Sequence, residues 1–482
     1  MCAACAVLLP GRQVRILALR VDLQHGLGAE EAMGETQRAG VNAAVEAEAQ
    51  LVAAIRRLET QPGVQRALEM LRGRTEELTQ LQIEFARIPA PDPRAPQRGA
   101  FLRRRLEAAG LQGVRSDAAG NVIGVLPRRG AQGGGASGGD GRGNPRRVVV
   151  LSAHLDTVFP ELTDIEIQRD GGILRGPGIA DDAAGLAAIV HLADVLCGAG
   201  VQFEQDVAVV GTVGEEGEGD LRGVKHLFSV EFPPERVAAF LTLDLGDPRE
   251  IVNSGLGSRR LCVRARGPGG HSWGAFGRPN PIHALARGIE RFLSAVPSGS
   301  ARTSYNVGCI EGGRGVNVIP ESASARVDLR GESAADLATL ETSFRAALEA
   351  GLSAERAWSR SAAEALQLEV EVIGDRPAGT TPADSGLVRA AVAAFSSRNL
   401  RVRLGTTSTD ANEPMRLGVP AVALPHGVRA HDTHSLREWC RVEGRATVLE
   451  AELLTLVHVA GYLPEPPETA TSGGATAPPG SR

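Results

Sequence analysis

An apolar, β-branched run that ends in His-x-Asp limits the possible folds of this chain most strongly. The run begins at Val148 and leads directly into His154, Leu155 and Asp156. Such a stretch is typical of a parallel strand that is covered on both faces. Side chains two positions apart point the same way along a strand, so Asp156 can stand behind His154. A carboxylate behind an imidazole fixes its tautomer, which a metal-ligating histidine requires.

Four more clusters of acidic residues or histidines adjoin predicted strands and helices. They are Asp181-Asp182 before a helix-forming segment, Glu215-Glu216 after strand 207–210, Asp244 after strand 240–243, and His431 and His434 after strand 420–425. In an open α/β sheet, ligands bind beyond the carboxyl ends of the strands. The five clusters therefore indicate one site assembled from distant parts of the sequence. Two histidines and three carboxylates suit a pair of divalent ions with one bridging carboxylate.

The motifs and their order resemble the two-zinc peptidase and deacylase family that includes peptidase T, carboxypeptidase G, acetylornithine deacetylase and succinyl-diaminopimelate desuccinylase. The resemblance covers roughly residues 62 to 463, and five motifs in family order are far more specific than any one of them. The motifs are Ser152-Ala153-His154-Leu155-Asp156, Gly178-Ile179-Ala180-Asp181-Asp182, Gly214-Glu215-Glu216-Gly217, Leu243-Asp244 and His434-Ser435-Leu436-Arg437-Glu438-Trp439. Segments 151–160 and 267–280 are most similar to peptidase T-like members.

The resemblance implies a role for each residue of the predicted site. Five residues are implied to bind metal: His154 and Asp244 on one ion, Glu216 and His434 on the other, and Asp181 as the bridge. The ions are expected to be Zn²⁺, with Co²⁺ or Mn²⁺ as alternatives. Asp156 is implied to orient His154, and Glu215 to be the general base that activates a metal-bridged water. His431 is the alternative to His434, but the His-Ser-x-x-Glu-Trp pattern favours His434.

A second domain is implied between the Asp244 strand and the segment that carries the last histidine, over residues 254–374. Strands that alternate apolar and polar residues are predicted at 260–266, 324–330 and 366–372, and helices at 281–295 and 334–350. Two helices over one face of an antiparallel sheet form an α+β lid. In the family this domain dimerises.

The resemblance also assigns substrate contacts to the lid. His271 is implied to reach an active site, usually that of the partner subunit, and to stabilise the oxyanion. Asn317 and Arg330 are implied to hold the carboxylate of the substrate. Two simpler interpretations remain open: His271 follows two glycines and could be an ordinary turn residue, and Arg330 could pair with Asp328 or Glu332 on a solvated strand face.

The predicted fold class is α/β. A zinc-peptidase-like catalytic domain, with a mixed, mainly parallel sheet between helices, occupies residues 61–253 and 375–463 and is interrupted by the α+β lid/dimerisation domain. Residues 1–60 are predicted to be an N-terminal extension of unknown role. The Gly-rich insertion at 128–147 and the tail at 464–482 are predicted to be disordered, because neither has a core-forming pattern.

Composition excludes several classes of protein. The net charge of −5 indicates no broad polyanion-binding surface and hence no nucleic-acid partner. The sequence has a single lysine, Lys225, and lacks the Gly-Lys-Ser/Thr of a phosphate-binding loop. No apolar run is long enough to span a membrane. The apolar start lacks the basic region of a signal peptide, and the scattered cysteines suit a reducing compartment, so a cytoplasmic location is predicted.

The predicted function is a metal-dependent hydrolase that cleaves an amide bond of short peptides, in the manner of a peptidase T-like aminopeptidase on di- or tripeptides. An N-acyl-amino-acid deacylase or a carboxypeptidase of the same family is the alternative, and it would use the Arg330 region for the substrate carboxylate. The need for a free α-amine separates the two. A non-catalytic metal-binding member of the fold is a third hypothesis, but such a protein would be expected to lack the base or a ligand, and Glu215 and all five ligands are present.

Overall fold

The computed structural model describes residues 35–91, 96–129, 147–296, 302–360 and 366–464. Most of the predicted N-terminal extension, the Gly-rich insertion and the tail therefore lie outside the described residues. None of the helices in the described part of the chain has the length and apolar character needed to cross a bilayer.

The chain up to residue 255 supplies most of the strands of the large sheet and several of the helices around it. Its helices and strands are α1 (Glu35–Glu59), α2 (Pro62–Gly73), α3 (Thr75–Ala86), α4 (Pro96–Ala108), β1 (Gln112–Ser116), β2 (Val122–Leu126), β3 (Val148–His154), β4 (Gln168–Asp170), β5 (Ile173–Arg175), α5 (Ala183–Gly198), β6 (Gln202–Phe203), β7 (Asp206–Thr212), α6 (Arg222–His226), β8 (Val237–Leu245) and β9 (Glu250–Gly255).

The rest of the chain forms the second sheet and then returns to the first. The elements of the second sheet and its cover are β10 (Gly257–Arg266), β11 (Gly270–His271), α7 (Pro281–Ala295), β12 (Thr303–Gly312), β13 (Val318–Ile319), β14 (Ser322–Gly331), α8 (Ala334–Trp358) and β15 (Gln367–Arg376). The returning segment contains β16 (Gly379–Thr380), α9 (Gly386–Ser397), β17 (Arg403–Thr407), α10 (Asn412–Arg416), β18 (Ala421–Pro425), β19 (Arg429–His431), β20 (Trp439–Arg441), α11 (Arg445–Ala460) and β21 (Tyr462–Leu463).

The large sheet is mixed, with the strand order β1-β2-β7-β3-β8-β18-β9-β16, and β17 also pairs with β9. Most of the paired residues in this sheet belong to parallel pairs of strands, which are β3–β7, β3–β8, β8–β18 and β9–β17. Strand β3 lies inside the sheet, and all seven of its residues are buried. The predicted α/β class with a mixed, mainly parallel sheet is confirmed.

Helices cover the sheet with their apolar faces, and one of them is apolar around most of its surface. Helix α5 is rich in Ala, Leu and Val and is buried along nearly its whole length, where it packs against α2, α3 and β3. Helix α1, which is rich in Ala and Glu, packs against α9 and α11 with Ile55 fully buried. The last part of the predicted extension is therefore part of the catalytic core.

The second sheet is antiparallel, in the order β12-β14-β10-β15, and α7 and α8 cover one face. Its core is a separate apolar cluster around Leu261, Phe292, Leu329 and Phe344. The three predicted strands and both predicted helices are found, but α8 continues to Trp358. Strand β12 is an additional strand that was not predicted, although its half-buried Thr303, Tyr305, Val307 and Cys309 alternate with exposed residues.

A small sheet in the order β19-β20-β5-β4 connects the last histidine to the segment before Asp181. Trp439 of β20 pairs with Arg175 of β5, and the N–H of Gly176 donates to the carbonyl of Glu438. This sheet brings the segment around residue 434 against the loop around residue 181, although the two are far apart in sequence.

Candidate metal centre and active site

The five predicted clusters meet at one edge of the large sheet, at the carboxyl ends of its parallel strands. His154 ends β3, Glu215 and Glu216 follow β7, and Asp244 is the next-to-last residue of β8. Asp181 lies just before α5, and His434 lies in the turn between β19 and β20. The chain therefore uses the edge that α/β sheets commonly offer to ligands.

Asp181 lies between the two histidines and presents one carboxylate oxygen to each of them. Its Oδ1 is 2.9 Å from His154 Nε2, and its Oδ2 is 2.9 Å from His434 Nε2. On the outer sides, Asp244 Oδ1 is 3.5 Å from His154 Nε2, and Glu216 Oε1 is 2.9 Å from His434 Nε2. The arrangement consists of two His/carboxylate halves that share one carboxylate.

The donor atoms fit divalent ions. Among the described residues, three overlapping groups have ligand atoms within 4.8 Å of one another: His154/Glu215/Glu216, His154/Asp182/Asp244 and Asp181/Glu216/His434. Imidazole nitrogen and carboxylate oxygen suit zinc, cobalt or manganese. Asp182 was not predicted as a ligand, and its carboxylate is already engaged, since it accepts the N–H groups of His154 (3.0 Å) and Gly185 (2.9 Å).

The protonation of this cluster reflects its excess of carboxylates. Hydrogen bonds to Asp181 and Glu216 raise the pKa of His434 to about 11. Burial disfavours the charged form of His154, but hydrogen bonds to Asp181 and Asp244 outweigh burial and hold its pKa well above the ordinary value. Burial also raises the pKa of Asp244 to about 6. The excess of carboxylates around the two imidazoles favours a cation at this position, and a divalent ion would compete with protons for the imidazole nitrogens.

Asp156 acts on His154 in a way that differs from the prediction. His154 Nδ1 donates to the backbone carbonyl of Asp156 at 3.0 Å, which leaves Nε2 to face the cluster. The carboxylate of Asp156 instead accepts the N–H groups of Gly214 (2.7 Å), Glu215 (3.2 Å) and Glu216 (2.9 Å). The prediction assumed an extended chain, but β3 ends at His154, so the rule that places alternate side chains on one side no longer applies.

Glu438 holds the loop of Asp181 in the way that Asp156 holds the loop of Glu215 and Glu216. No role was predicted for Glu438 from the sequence. Its buried carboxylate accepts the N–H groups of Gly178 (2.9 Å), Ala180 (2.8 Å) and Asp181 (3.1 Å). Burial raises the pKa of Glu438 to about 7, against the effect of these hydrogen bonds. Its place in the His-Ser-x-x-Glu-Trp motif was the available signal. The peptide bond between Asp181 and Asp182 is cis.

Glu215 is held by a buried arginine, Arg376, which is the last residue of β15 in the second sheet. Arg376 Nη1 donates to Glu215 Oε1 at 3.1 Å, and Nη2 donates to the backbone carbonyl of Glu215. Burial raises the pKa of Glu215 well above its usual range, and the nearby Arg376 guanidinium opposes that shift. Sequence reasoning missed Arg376, because 161 residues separate it from Glu215 and no motif marks it.

The three predicted substrate-binding residues lie on the second sheet and its loops. His271 is exposed, and its Nδ1 accepts the N–H groups of Trp273 (3.2 Å) and Gly274 (3.3 Å). Asn317 lies next to it, since its carbonyl accepts the N–H of Ser272.

Arg330 Nε donates to Asp328 Oδ2 at 2.8 Å, which is the ion pair foreseen as an alternative. Within the described residues, none of His271, Asn317 and Arg330 forms a hydrogen bond or ion pair with the metal-ligand candidates. The structure brings His271 and Asn317 together, because β11 (Gly270–His271) pairs with β13 (Val318–Ile319).

The family can now be identified. The profile of Peptidase family M20/M25/M40 matches residues 150–458, which include the whole site. The chain belongs to this family. The predicted resemblance is therefore confirmed, and the shared segment runs through both sheets.

Proteins of similar sequence include two that are named as carboxypeptidases. A probable carboxypeptidase of Ajellomyces capsulatus is 30% identical over 216 residues, which cover 39% of this chain and 46% of that protein. Carboxypeptidase G2 of a Pseudomonas species is 26% identical over 243 residues, which cover 48% of this chain and 54% of that protein. The matches thus span about half the length of these curated relatives.

Solved structures show the same fold over most of the chain. Aminopeptidase PepT of Bacillus cereus superposes with a TM-score of 0.63 at 22% identity, and covers 80% of this chain and 99% of that one. A tripeptidase of Staphylococcus aureus gives a TM-score of 0.63 at 19% identity, with coverage of 80% and 98%.

Proposed function

We propose that this protein is a metal-dependent hydrolase of peptide bonds that removes the N-terminal residue from di- and tripeptides. The observation that carries the proposal is the carboxylate of Asp181, shared between the imidazoles of His154 and His434. Membership of a peptidase family supports the reaction class. The aminopeptidase specificity is supported by the likeness of segments 151–160 and 267–280 to peptidase T-like members.

The proposed ligands are those of the two halves around Asp181. His154 and Asp244 would hold one ion, Glu216 and His434 the other, and Asp181 both. Two divalent ions at these positions would polarise the scissile carbonyl and lower the pKa of a water molecule towards neutrality.

The protein's own groups then position and move protons. Glu215 takes a proton from the attacking water and passes it to the leaving amine, because it lies beside the ligands without being one of them. Asp156 and Glu438 each hold three backbone N–H groups of the loops that carry the reacting residues. Such fixed supports limit the reorganisation that the reaction requires.

The proposal includes a homodimer through the lid, in which His271 of one subunit stabilises the oxyanion in the other. Strand β12 is an edge strand that pairs only with β14 in the described part of the chain. An edge of this kind can pair with a second copy. His271 and Trp273 are exposed, the latter at 87%, which is unusual for tryptophan unless it meets a ligand or partner.

A mixing experiment tests this arrangement. Glu215→Gln and His271→Asn homodimers should each be nearly inactive, and re-association of the two should restore activity, because a mixed dimer contains one complete site. Molar mass by light scattering should give two chains per particle. A monomer that is fully active would contradict the dimer and leave the hydrolase proposal in place.

A carboxypeptidase or N-acyl-amino-acid deacylase is the second candidate, since several sequence relatives bear the name carboxypeptidase. Cationic side chains near the hinge, where the chain passes between the two sheets at residues 255–257 and 376–379, favour it as well. Burial lowers the pKa of Arg260, and the nearby charges of Arg376 and Arg330 lower it further. A substrate carboxylate would suit such a group of guanidinium ions.

The deciding measurement is the release of amino acids from di-, tri-, N-acetylated and C-amidated peptides by metal-loaded protein, with a chelator-treated control. Chelator-sensitive cleavage that requires a free α-amine is the expected result. Cleavage of acylated substrates that C-terminal amidation abolishes would assign the second function. No turnover on the whole panel would reject both.

A cytoplasmic location is also part of the proposal and is supported by Cys197, Cys262, Cys309 and Cys440, which are free thiols.

A further inference from the structure

Two adjacent glutamates, Glu215 and Glu216, have similar access to the proposed metal positions. Ligand atoms of both lie within 4.8 Å of each other and of His154. Both follow β7 in the same loop, and the carboxylate of Asp156 holds the backbone N–H groups of both. Position in the chain and backbone support therefore do not explain why one should act as a base and the other as a ligand.

Their side-chain partners differ. Glu216 Oε1 lies 2.9 Å from His434 Nε2, inside the cluster. Glu215 Oε1 instead accepts a hydrogen bond from Arg376 Nη1 at 3.1 Å, and the same guanidinium also holds the Glu215 carbonyl. An arginine fork that grips one residue at two points fixes direction as well as distance.

We infer that Arg376 is a positioning residue that keeps Glu215 out of the metal coordination sphere, so that Glu215 remains available as a base. The inference rests on the proposed function, because it takes Glu216 as ligand and Glu215 as base. A guanidinium carries no lone pair and cannot itself bind a cation. Arg376 tethers the carboxylate of Glu215 and partly neutralises its charge.

Arg376 is suited to this role because the hinge around it is fixed. It ends β15, and its Cα pairs with Ser258 of β10, where the chain first enters the second sheet. Its Nη1 also donates to Ser408 Oγ at 3.3 Å. The side-chain amide of Asn412 donates to the carbonyls of Leu256 and Pro377, each at 2.8 Å, and so holds both connections between the two parts of the protein.

Arg376 and Glu215 are both almost fully buried. Arg376 is 6% exposed and Glu215 is 5% exposed. The Nε of Arg376 is buried without a hydrogen-bond partner among the described residues. The guanidinium is therefore committed to Glu215 at the cost of one unsatisfied donor.

The test is a double-mutant cycle on metal binding by the full chain, with Co²⁺ as the probe. Arg376→Met, Glu215→Gln and the double variant are titrated with Co²⁺ while the d–d absorption is recorded. Arg376→Met should bind Co²⁺ about tenfold more tightly, a typical size for a change behind the ligands. Its absorption should weaken, because the coordination number rises when Glu215 becomes a ligand.

Replacing Glu215 by Gln in the Arg376→Met background should remove both changes, whereas in the otherwise unchanged chain it should leave the Co²⁺ spectrum as it was. Arg376→Met should also lower kcat roughly 10- to 100-fold with little change in KM. Arg264→Met is the matched control, since Arg264 lies on the same sheet but pairs with the exposed Glu369 at 3.7 Å. It should leave metal binding and kcat unchanged.

Arg376→Lys serves if the methionine variant does not fold, because a single ammonium group keeps the charge but cannot hold the carboxylate and the carbonyl together. An intermediate Co²⁺ spectrum is expected for it. Identical spectra for all Arg376 variants and the unchanged chain would overturn the inference and leave the proposed function intact. Loss of Co²⁺ binding by Glu215→Gln alone would show that Glu215 is a ligand, which would contradict both.

Discussion

At the scale of single residues, two neighbouring glutamates should fail in different ways when each is changed to glutamine. Glu215→Gln keeps an acceptor for Arg376 but cannot take a proton, so kcat should fall by about 10²–10⁴-fold while metal content is retained. Glu216→Gln removes an anionic oxygen that lies beside His434, so metal content itself should fall. Elemental analysis and steady-state kinetics on the two variants check this. Activity of Glu215→Gln within a few-fold of the unchanged chain would reject it as the base.

His426 should make the protein sensitive to acid. It is buried, and burial lowers its pKa to about 3, with the charge of Arg445 acting in the same direction. The pKa of His426 is lower in the folded than in the unfolded state. The contribution of neutral His426 to the free energy of unfolding is therefore fully present above pH 6.5 and is lost as the pH falls towards 3. Below pH 6.5 the unfolded state gains a proton that the folded state excludes, which costs up to about 1.4 kcal/mol per pH unit.

His426→Leu removes this contribution. The variant should differ little from the unchanged chain near pH 8 and should become relatively more stable at each step down to pH 5. Urea unfolding at four pH values measures the difference directly. Parallel curves for the two proteins over that range would show that His426 is solvated or partnered in the folded state.

At the scale of elements, the site depends on loops whose backbone N–H groups converge on carboxylates. Glu438 supports the loop of Asp181 in this way. Glu438→Gln places an N–H₂ group against backbone donors, so the loop should loosen and metal affinity should fall by about 10–100-fold.

The measurement is a metal titration at pH 8, where Glu438, with a pKa of about 7, is mainly ionised. Glu443→Gln is the matched control, because Glu443 is exposed and pairs only loosely with Arg441 at 3.9 Å. Equal affinities of the two variants would show that the loop holds its shape without the carboxylate of Glu438.

The same loops show what could and could not be predicted from the sequence. Strand β3 and the ligand candidates are recognisable because an apolar run and the polar residues that end it are neighbours in sequence. The targets of Asp156 and Glu438 are not recognisable, since the N–H groups that they hold lie about 60 and 260 residues away in sequence. Arg376 was missed for a related reason, since it reaches Glu215 only because the fold brings the end of β15 to the loop after β7.

At the scale of the whole molecule, the two sheets have separate apolar cores in the described part of the chain, and polar contacts connect them. In the described part of the chain, the buried apolar clusters of the large sheet contain no residue between 253 and 386. The buried apolar cluster of the second sheet contains only residues from that range. Across the boundary, Arg326 pairs with Glu218 at 3.7 Å, and Lys225 Nζ donates to the carbonyl of Asp375 at 2.9 Å. Exposed contacts of this kind contribute little to stability.

We therefore propose that residues 254–374 form a separate lid, and its removal should leave a folded catalytic domain. Gly255 of β9 and Gly379 of β16 are antiparallel partners, so an Asn-Gly link in place of residues 256–378 would close a tight hairpin. The shortened chain should unfold cooperatively and bind two metal ions, but hydrolysis should fall by at least ~10²-fold, because Arg376 and His271 are absent. Circular dichroism, metal titration and peptide hydrolysis are the measurements. A shortened chain that aggregates or unfolds without a transition would mean that the lid contributes to the catalytic core through the hinge, where Asn412 holds both connections.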